Sequence, residues 1–232
     1  DAVGRLGAPI YAMLDVEQIL EEKGYVTPDG VELRSGEYTG PPANDKQSGF
    51  EWSGEWTVTY ETFRDMGIAF GVALVAIYML VVWAFGNFVI PAIIMSPIPL
   101  TLLGIVPGHW IMNAEFTATS MIGWIALAGI IVRNSILMVD FTMHSFRGGM
   151  PLIDSVILAA KSRTRPILIT ALALVLGSAV ILTDPIFQGM AVSLLFGVFV
   201  STLLTLLVIP LGCISAGEKV FMETEDMAAK ES

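Results

Sequence analysis

One cysteine, Cys213, stands in 232 residues. An intrachain disulfide and any paired-cysteine metal or redox motif are therefore excluded. Charge is almost as scarce: 15% of residues are Asp, Glu, Lys or Arg, and only 12 are cationic. No basic run supplies the footprint that a nucleic-acid partner needs. The formal net charge of −10 is also unevenly spread. Residues 1–65 hold 13 acidic and 5 basic side chains, whereas the remainder is nearly neutral. An initiator methionine and a signal peptide are lacking as well, since the chain opens on Asp1 within a polar segment. It therefore reads as a piece of a longer chain.

What the chain has instead is apolar length. Hydrophobic residues make up 54%, and several apolar runs exceed the ~18 residues at which a membrane span becomes the default reading. Five spans are expected: Met66–Phe85, Phe88–Met112, Thr117–Phe141, Pro166–Thr183 and Gly189–Cys213. The second carries Pro91, Pro97, Pro99 and Pro107, so it should be bent. In the first, Gly67 and Gly71 form a small-xxx-small pair that reads as close helix packing. The fold class is thus a mainly α-helical polytopic membrane protein with a short α+β N-terminal segment. Its expected domains are 1–65, a transmembrane region 66–213 with a link at 144–165, and a tail 214–232.

The N-terminal segment has the character of a domain end. Ala8 to Lys23 spaces Ile10, Met13, Leu14, Ile19 and Leu20 at helical intervals, with Pro9 at the start and Gly24 after the end. Thr27 to Ser48 is rich in turn formers and reads as loop. Phe50, Trp52, Trp56 and Val58 alternate with polar residues, which predicts a half-buried strand packed on a sheet outside the chain. A carbohydrate platform is the weaker reading of those aromatics.

Cations set the expected orientation. Arg147, Lys161, Arg163 and Arg165 lie in the link between spans three and four, and Lys219 and Lys230 lie in the tail. The links at Asn113–Phe116 and Asp184–Gln188 carry none. The positive-inside rule then puts 144–165 and the C-terminus in the cytoplasm and residues 1–65 outside. The link itself reads as a helix: Pro151 suits its first turn, Asp154 its positive end and Lys161 and Arg163 its negative end. Leu152, Ile153, Val156, Ile157 and Ala160 give it an apolar face suited to the membrane surface.

Arg133 and Asn134 interrupt the apolar run Ala118 to Val139. A cation at that depth costs at least about 2.5–3.5 kcal/mol unless it meets a partner or water. It is therefore a functional-site candidate whose counter-charge has to be found, and this chain barely offers one.

The run Phe116-Thr-Ala-Thr-Ser-Met-Ile-Gly-Trp-Ile-Ala-Leu-Ala-Gly-Ile-Ile-Val-Arg-Asn-Ser-Ile-Leu-Met-Val-Asp140, followed by Arg163-Thr-Arg-Pro-Ile-Leu-Ile-Thr170, resembles the C-terminal membrane half of resistance–nodulation–division (RND) efflux permeases, in their AcrB-type drug-efflux branch. The resemblance covers essentially the whole chain. It implies that the five spans are the last five of twelve, and that residues 1–65 end the final periplasmic porter subdomain. It further implies a relay driven by the proton-motive force, without cofactor. There a cation of the tenth helix faces two aspartates of the fourth, and a threonine of the eleventh assists. By position those roles fall on Arg133 and Thr170, with Asn134 as a neighbouring hydrogen-bonding group. The aspartates would belong to an N-terminal half of the same permease. A homotrimer in the bacterial inner membrane, with a periplasmic adaptor and an outer-membrane channel, is the implied assembly. Drug pumps usually carry Lys where this chain has Arg133. Arg holds its proton more firmly, which favours an electrostatic latch over a proton carrier.

Other polar groups carry weaker readings. Asp140 lies two turns beyond Arg133, about 10 Å along the helix, and either extends the relay or is simply solvated. Arg163 and Arg165 serve as topology anchors or as a cytoplasmic gate. Asp140 and His144 have i,i+4 spacing, but two ligands without a third do not make a metal site. His109 reads as an interfacial side chain. Ser120, Ser135 and Thr170 can bond back to helix carbonyls. An intramembrane enzyme built on His109, Asp140 or His144 lacks a nucleophile–base pair. An export or lipid-transport member of the same superfamily is the nearer alternative to drug efflux.

Overall fold

The computed structural model describes residues 9–42 and 47–231. The chain divides into two compact units, Asp1–Gly67 and Ile68–Ser232.

In the first unit, α1 spans Pro9–Lys23, as its periodicity predicts. Gly24 follows with φ +61°, a left-handed stop that costs glycine little. A short antiparallel hairpin then pairs β1 (Tyr25–Val26) with β2 (Glu32–Leu33), with Tyr25 opposite Leu33. This corrects the loop expected from Thr27 onward. Pro28-Asp29-Gly30 is turn chemistry, and Gly30 supplies the positive φ that reverses the chain. The expected strand Phe50–Val58 is also not formed. Glu51 alone makes a parallel bridge, to Glu37, and a helix starts at Glu55. Gly54, at φ +81°, breaks the extended run. Beyond it Trp56 and Tyr60 fall on one helix face, their ring centroids 6.1 Å apart.

The aromatics staple this unit rather than cover a sheet. Trp56 Nε1 donates to the Tyr38 carbonyl at 3.1 Å. The Glu17 carboxylate accepts from the Tyr38 hydroxyl, from Trp52 Nε1 at 3.2 Å and from the Gly36 amide at 3.1 Å. Burial by itself would raise the Glu17 carboxyl, but the three donors outweigh it and hold the group below the ordinary glutamate range. The same contact raises the Tyr38 phenol.

Among the described residues, five helices are long and apolar enough to cross a membrane. The first, α2 (Glu55–Phe85), exposes Ile68, Val72, Val75, Met79 and Trp83. A Cβ on Gly71 would meet open space, so the close packing expected there finds no neighbour among the described residues. The second crossing is broken, as its prolines predict, into α3 (Val89–Met95), α4 (Pro97–Leu100) and α5 (Leu102–Ile111). Pro97 cannot donate to the Ile93 carbonyl, and the Ser96 hydroxyl takes that place at 2.8 Å. Such a substitute donor is what a freed carbonyl needs at membrane depth.

Three long helices form the rest: α6 (Ala118–Arg147), α7 (Leu152–Val180) and α8 (Gln188–Glu231), the last interrupted at Gly217 (φ 77°, ψ 168°). The link helix and the fourth span, expected as separate elements, are one continuous α7. Pro166 lies inside it, where a missing N–H kinks a helix without necessarily ending it. Leu152, Val156 and Ala159 are buried within the unit, while Ile153 and Ile157 stay exposed.

Helix α8 is the hub, packed against α5, α6 and α7. Small residues permit the close approach: a Cβ on Gly104 would fall 2.5 Å from Val200 Cγ2 and 2.9 Å from the Phe196 carbonyl oxygen. Ile90, Ile94, Ile105, Leu127, Ile131, Val139, Val198 and Ile209 fill the core among these helices.

Candidate functional site

Helix α6 begins at Thr117, whose side chain and that of Ser120 form a capping box. From there two faces run its length. Met121, Leu127, Ala128, Ile131, Ser135, Met138, Val139 and Thr142 are buried. Ile122, Ala126, Gly129, Arg133, Leu137, Asp140, His144 and Arg147 are exposed. Their steps of three and four trace one helical stripe. Every charged residue of α6 lies on it, together with His144, so the helix buries none of them within the unit.

Arg133 opens onto a groove of about 390 Å³ lined by Ala126, Gly129, Ile130, Arg133, Thr170 and Leu174. The structure thus brings together Arg133 of α6 and Thr170 of α7, the two residues to which the family resemblance gives central relay roles. The only salt bridges among the described residues are Arg34–Glu32 and Arg64–Asp65. Arg133 accordingly has no counter-ion there. Thr170 donates its hydroxyl to the Pro166 carbonyl at 2.5 Å, the helix back-bond its residue type favours. Only acceptor capacity remains to it.

Asn134 faces away from the groove. It lines a second, water-sized cavity of about 10 Å³ among α6, α7 and α8, whose other polar residues are Thr170, Ser201, Thr202 and Thr205. Thr170, Ile130 and Leu174 line both spaces, so the two lie back to back. The α8 hydroxyls were not singled out from the sequence. Their signal was there: Ser201 and Thr205, four apart in an apolar run, share a helix face.

Asp140 shares the stripe of Arg133 but lines neither space. The proposed gate pair separates: Arg163 is half-buried with its guanidinium 5.6 Å from the Phe141 ring centroid, and Arg165 is exposed. A spacing of two residues puts side chains on nearly opposite helix faces. The Arg163 Nε is buried and has no hydrogen-bond partner.

His109 departs from its expected interfacial place. It is 5% exposed, with Nδ1 2.9 Å from the Ile105 carbonyl and Nε2 2.9 Å from Ser120 Oγ. The carbonyl can only accept, so Nδ1 carries the proton and Nε2 accepts from the serine in the neutral ring. This is a serine–histidine contact without the makings of a nucleophile. Ser120 is fully buried and also accepts from the Thr117 amide at 3.1 Å, which marks the pair as a lock between α5 and the start of α6. Groups of three or more metal-ligating side chains do not occur among the described residues.

The profile of the AcrB/AcrD/AcrF family matches residues 45–213. The chain belongs to that family. It is 31% identical over 158 residues to the swarming motility protein SwrC of Bacillus subtilis, covering 65% of this chain and 15% of that protein. The multidrug resistance protein MdtC of Erwinia amylovora is 31% identical over 144 residues, covering 60% of this chain and 14% of that protein. MdtC of Serratia proteamaculans is 29% identical over 165 residues, covering 68% and 16%. The chain therefore spans about 15% of the length of these curated relatives. Membership bears out the RND resemblance carried by Arg133-Asn134 and Arg163-Thr-Arg-Pro. RND permeases are transporters rather than enzymes. Together with five apolar helices, membership makes this a multi-pass protein of the inner membrane.

Proposed function

We propose that the chain forms the C-terminal membrane part of a proton-driven RND permease that exports drugs or other amphiphilic small molecules. Within it, Arg133 acts as an electrostatic latch and Thr170 as its hydrogen-bonding neighbour. The observation that carries this reading is the position of Arg133: unpaired among the described residues, on the exposed stripe of α6, at a groove it shares with Thr170. A cation held at membrane depth needs a counter-charge, and carboxylates supplied by the remainder of the permease fit that groove.

Two neighbouring carboxylates beside a guanidinium can both stay ionised, because the cation offsets their repulsion. Protonating one weakens its hold and lets the pairing change, which gives an element that proton binding can bias. A charge crossing the membrane potential gains about 2.3 kcal/mol per 100 mV, and that supplies the drive. In this reading residues 1–65 are periplasmic and the α6–α7 link and the C-terminus cytoplasmic. The permease works as a trimer with an adaptor and an outer-membrane channel. The supporting test is coupling itself: with the complete permease in proteoliposomes, adding an exported drug should accelerate collapse of an imposed pH gradient. Export that proceeds equally with and without the gradient would refute it.

A further inference from the structure

The cavity among α6, α7 and α8 is walled by side chains whose polar atoms are unevenly committed. Thr170 donates to the Pro166 carbonyl, and Ser201 and Thr202 both donate to the Val198 carbonyl, at 3.1 and 2.7 Å. Each of those hydroxyls retains acceptor capacity only. The Asn134 amide and the Thr205 hydroxyl make no hydrogen bond to any described protein group, although Thr205 is 2% exposed. Buried amides and hydroxyls are nearly always paired, with protein or with ordered water. The space of about 10 Å³ matches the volume that one water centre requires, and two to four polar partners is what such a water needs. No carboxylate lines the cavity, which favours a neutral occupant over a cation.

We infer that this cavity is a binding site for a single water molecule, which accepts from Asn134 and Thr205 and donates to the Thr170 and Ser201 hydroxyl oxygens. The water ties α8 to the back of the groove that holds Arg133, with Thr170 as the shared wall. Thr205 is then a positioning residue that acts on the groove through the water. Its effect on transport rests on the latch reading of Arg133, while the water site itself does not.

The test uses the complete permease. A cryo-electron map fine enough to show other buried waters should contain a peak within about 2.7–3.2 Å of the Asn134 amide and the Thr205 hydroxyl. Thr205→Val, which keeps the shape and removes the hydroxyl, should erase that peak. It should slow proton-coupled export about two- to tenfold, the worth of one net hydrogen bond. Thr205→Ser should restore both, a rescue that a purely space-filling role would not show. A wild-type cavity without density overturns the site, whereas export at the wild-type rate by Thr205→Val overturns the positioning role of Thr205. If that variant assembles poorly, the wild-type map decides alone. Normal export by Arg133→Met would sink the latch reading instead, and the density at Thr205 would be untouched by that result.

Discussion

Replacing Arg133 with Met removes a charge and leaves a chain of similar reach in the groove beside Thr170. The size of the expected effect follows from the position. Arg133 lies on the exposed stripe of α6 with no acidic partner among the described residues. Left alone at membrane depth it would cost at least about 2.5–3.5 kcal/mol. A carboxylate about 4 Å away, at an effective dielectric constant near 20, returns about 4 kcal/mol, which is enough to offset that cost. The same figure sets what its partners lose in the variant. Without the cation, two neighbouring carboxylates facing it would repel each other unscreened, which favours protonation of one of them. At neutral pH such a site binds a proton and keeps it.

Arg133→Met should therefore abolish gradient-driven export, with protein level and assembly near wild type. Arg133→Lys preserves the charge and should retain much of the activity. Thr170→Ala should be milder than Arg133→Met, because it removes a hydroxyl that already bonds to its own helix. The assay is export against a pH gradient in proteoliposomes containing the complete permease, with the three variants side by side. Near-normal transport by Arg133→Met would refute the reasoning and leave Arg133 as a structural cation.

A fluorescent protein fused after Ser232 of the intact permease should fluoresce, since the cations at 147–165 and in the tail favour the cytoplasm; an active alkaline phosphatase fusion at the same place would reverse the topology. Gly104→Val places side-chain atoms against Val200 and the Phe196 carbonyl, so overpacking between α5 and α8 should destabilise the protein by about 1–3 kcal/mol, read as a lower unfolding temperature in detergent; no change would mean that the contact is loose. Glu17→Ala should strand the Tyr38, Trp52 and Gly36 donors and cost about 1–3 kcal/mol, measured as faster proteolysis of the N-terminal unit. The lowered Glu17 carboxyl also gives a sign for pH. Its contribution is fully present above the unfolded glutamate value of about 4.3 and fades as pH falls through the lower folded value, so the unit should loosen in acid, and less so in Glu17→Gln.

The legibility of the chain follows the length scale of each signal. Apolar runs of about 20 residues admit one structure in lipid, and all five expected spans are helices, the second broken where its prolines fall. Short patterns were less decisive. The three aromatics Phe50, Trp52 and Trp56, with Val58, fit a two-residue period, yet Trp56 and Tyr60 fit a helix equally, and Gly54 tips the balance. The hairpin at Tyr25–Leu33 has strands of two residues each, too few for alternation to register. Pro166 read as a boundary because a proline removes one hydrogen bond, but α7 has enough others to continue through it.

Arg133 stood out as a candidate because a cation in an apolar run is costly wherever it occurs, and Thr170 only through the family resemblance. Their shared groove is tertiary, and nothing in either helix alone announces it. The same holds for His109, whose burial depends on meeting Ser120 from another helix at 2.9 Å. The α8 hydroxyls are the instructive case. Each of Ser201, Thr202 and Thr205 is unremarkable in a membrane helix, where a hydroxyl can bond to its own backbone. Two do so, which leaves Thr205 and, across the cavity, Asn134 as the polar residues of its lining without a hydrogen-bond partner among the described residues. Asn134 follows the latch in sequence but faces the opposite space. One step along α6 thus separates the two residues: Arg133 lies on the exposed stripe, and Asn134 lines the cavity shared with α8. In the proposed latch, any rotation of α6 that loosens Arg133 from its counter-charge would also disturb Asn134, because both side chains ride on the same turn. Movement at the proposed latch would then be felt at α8 without any contact between Arg133 and that helix.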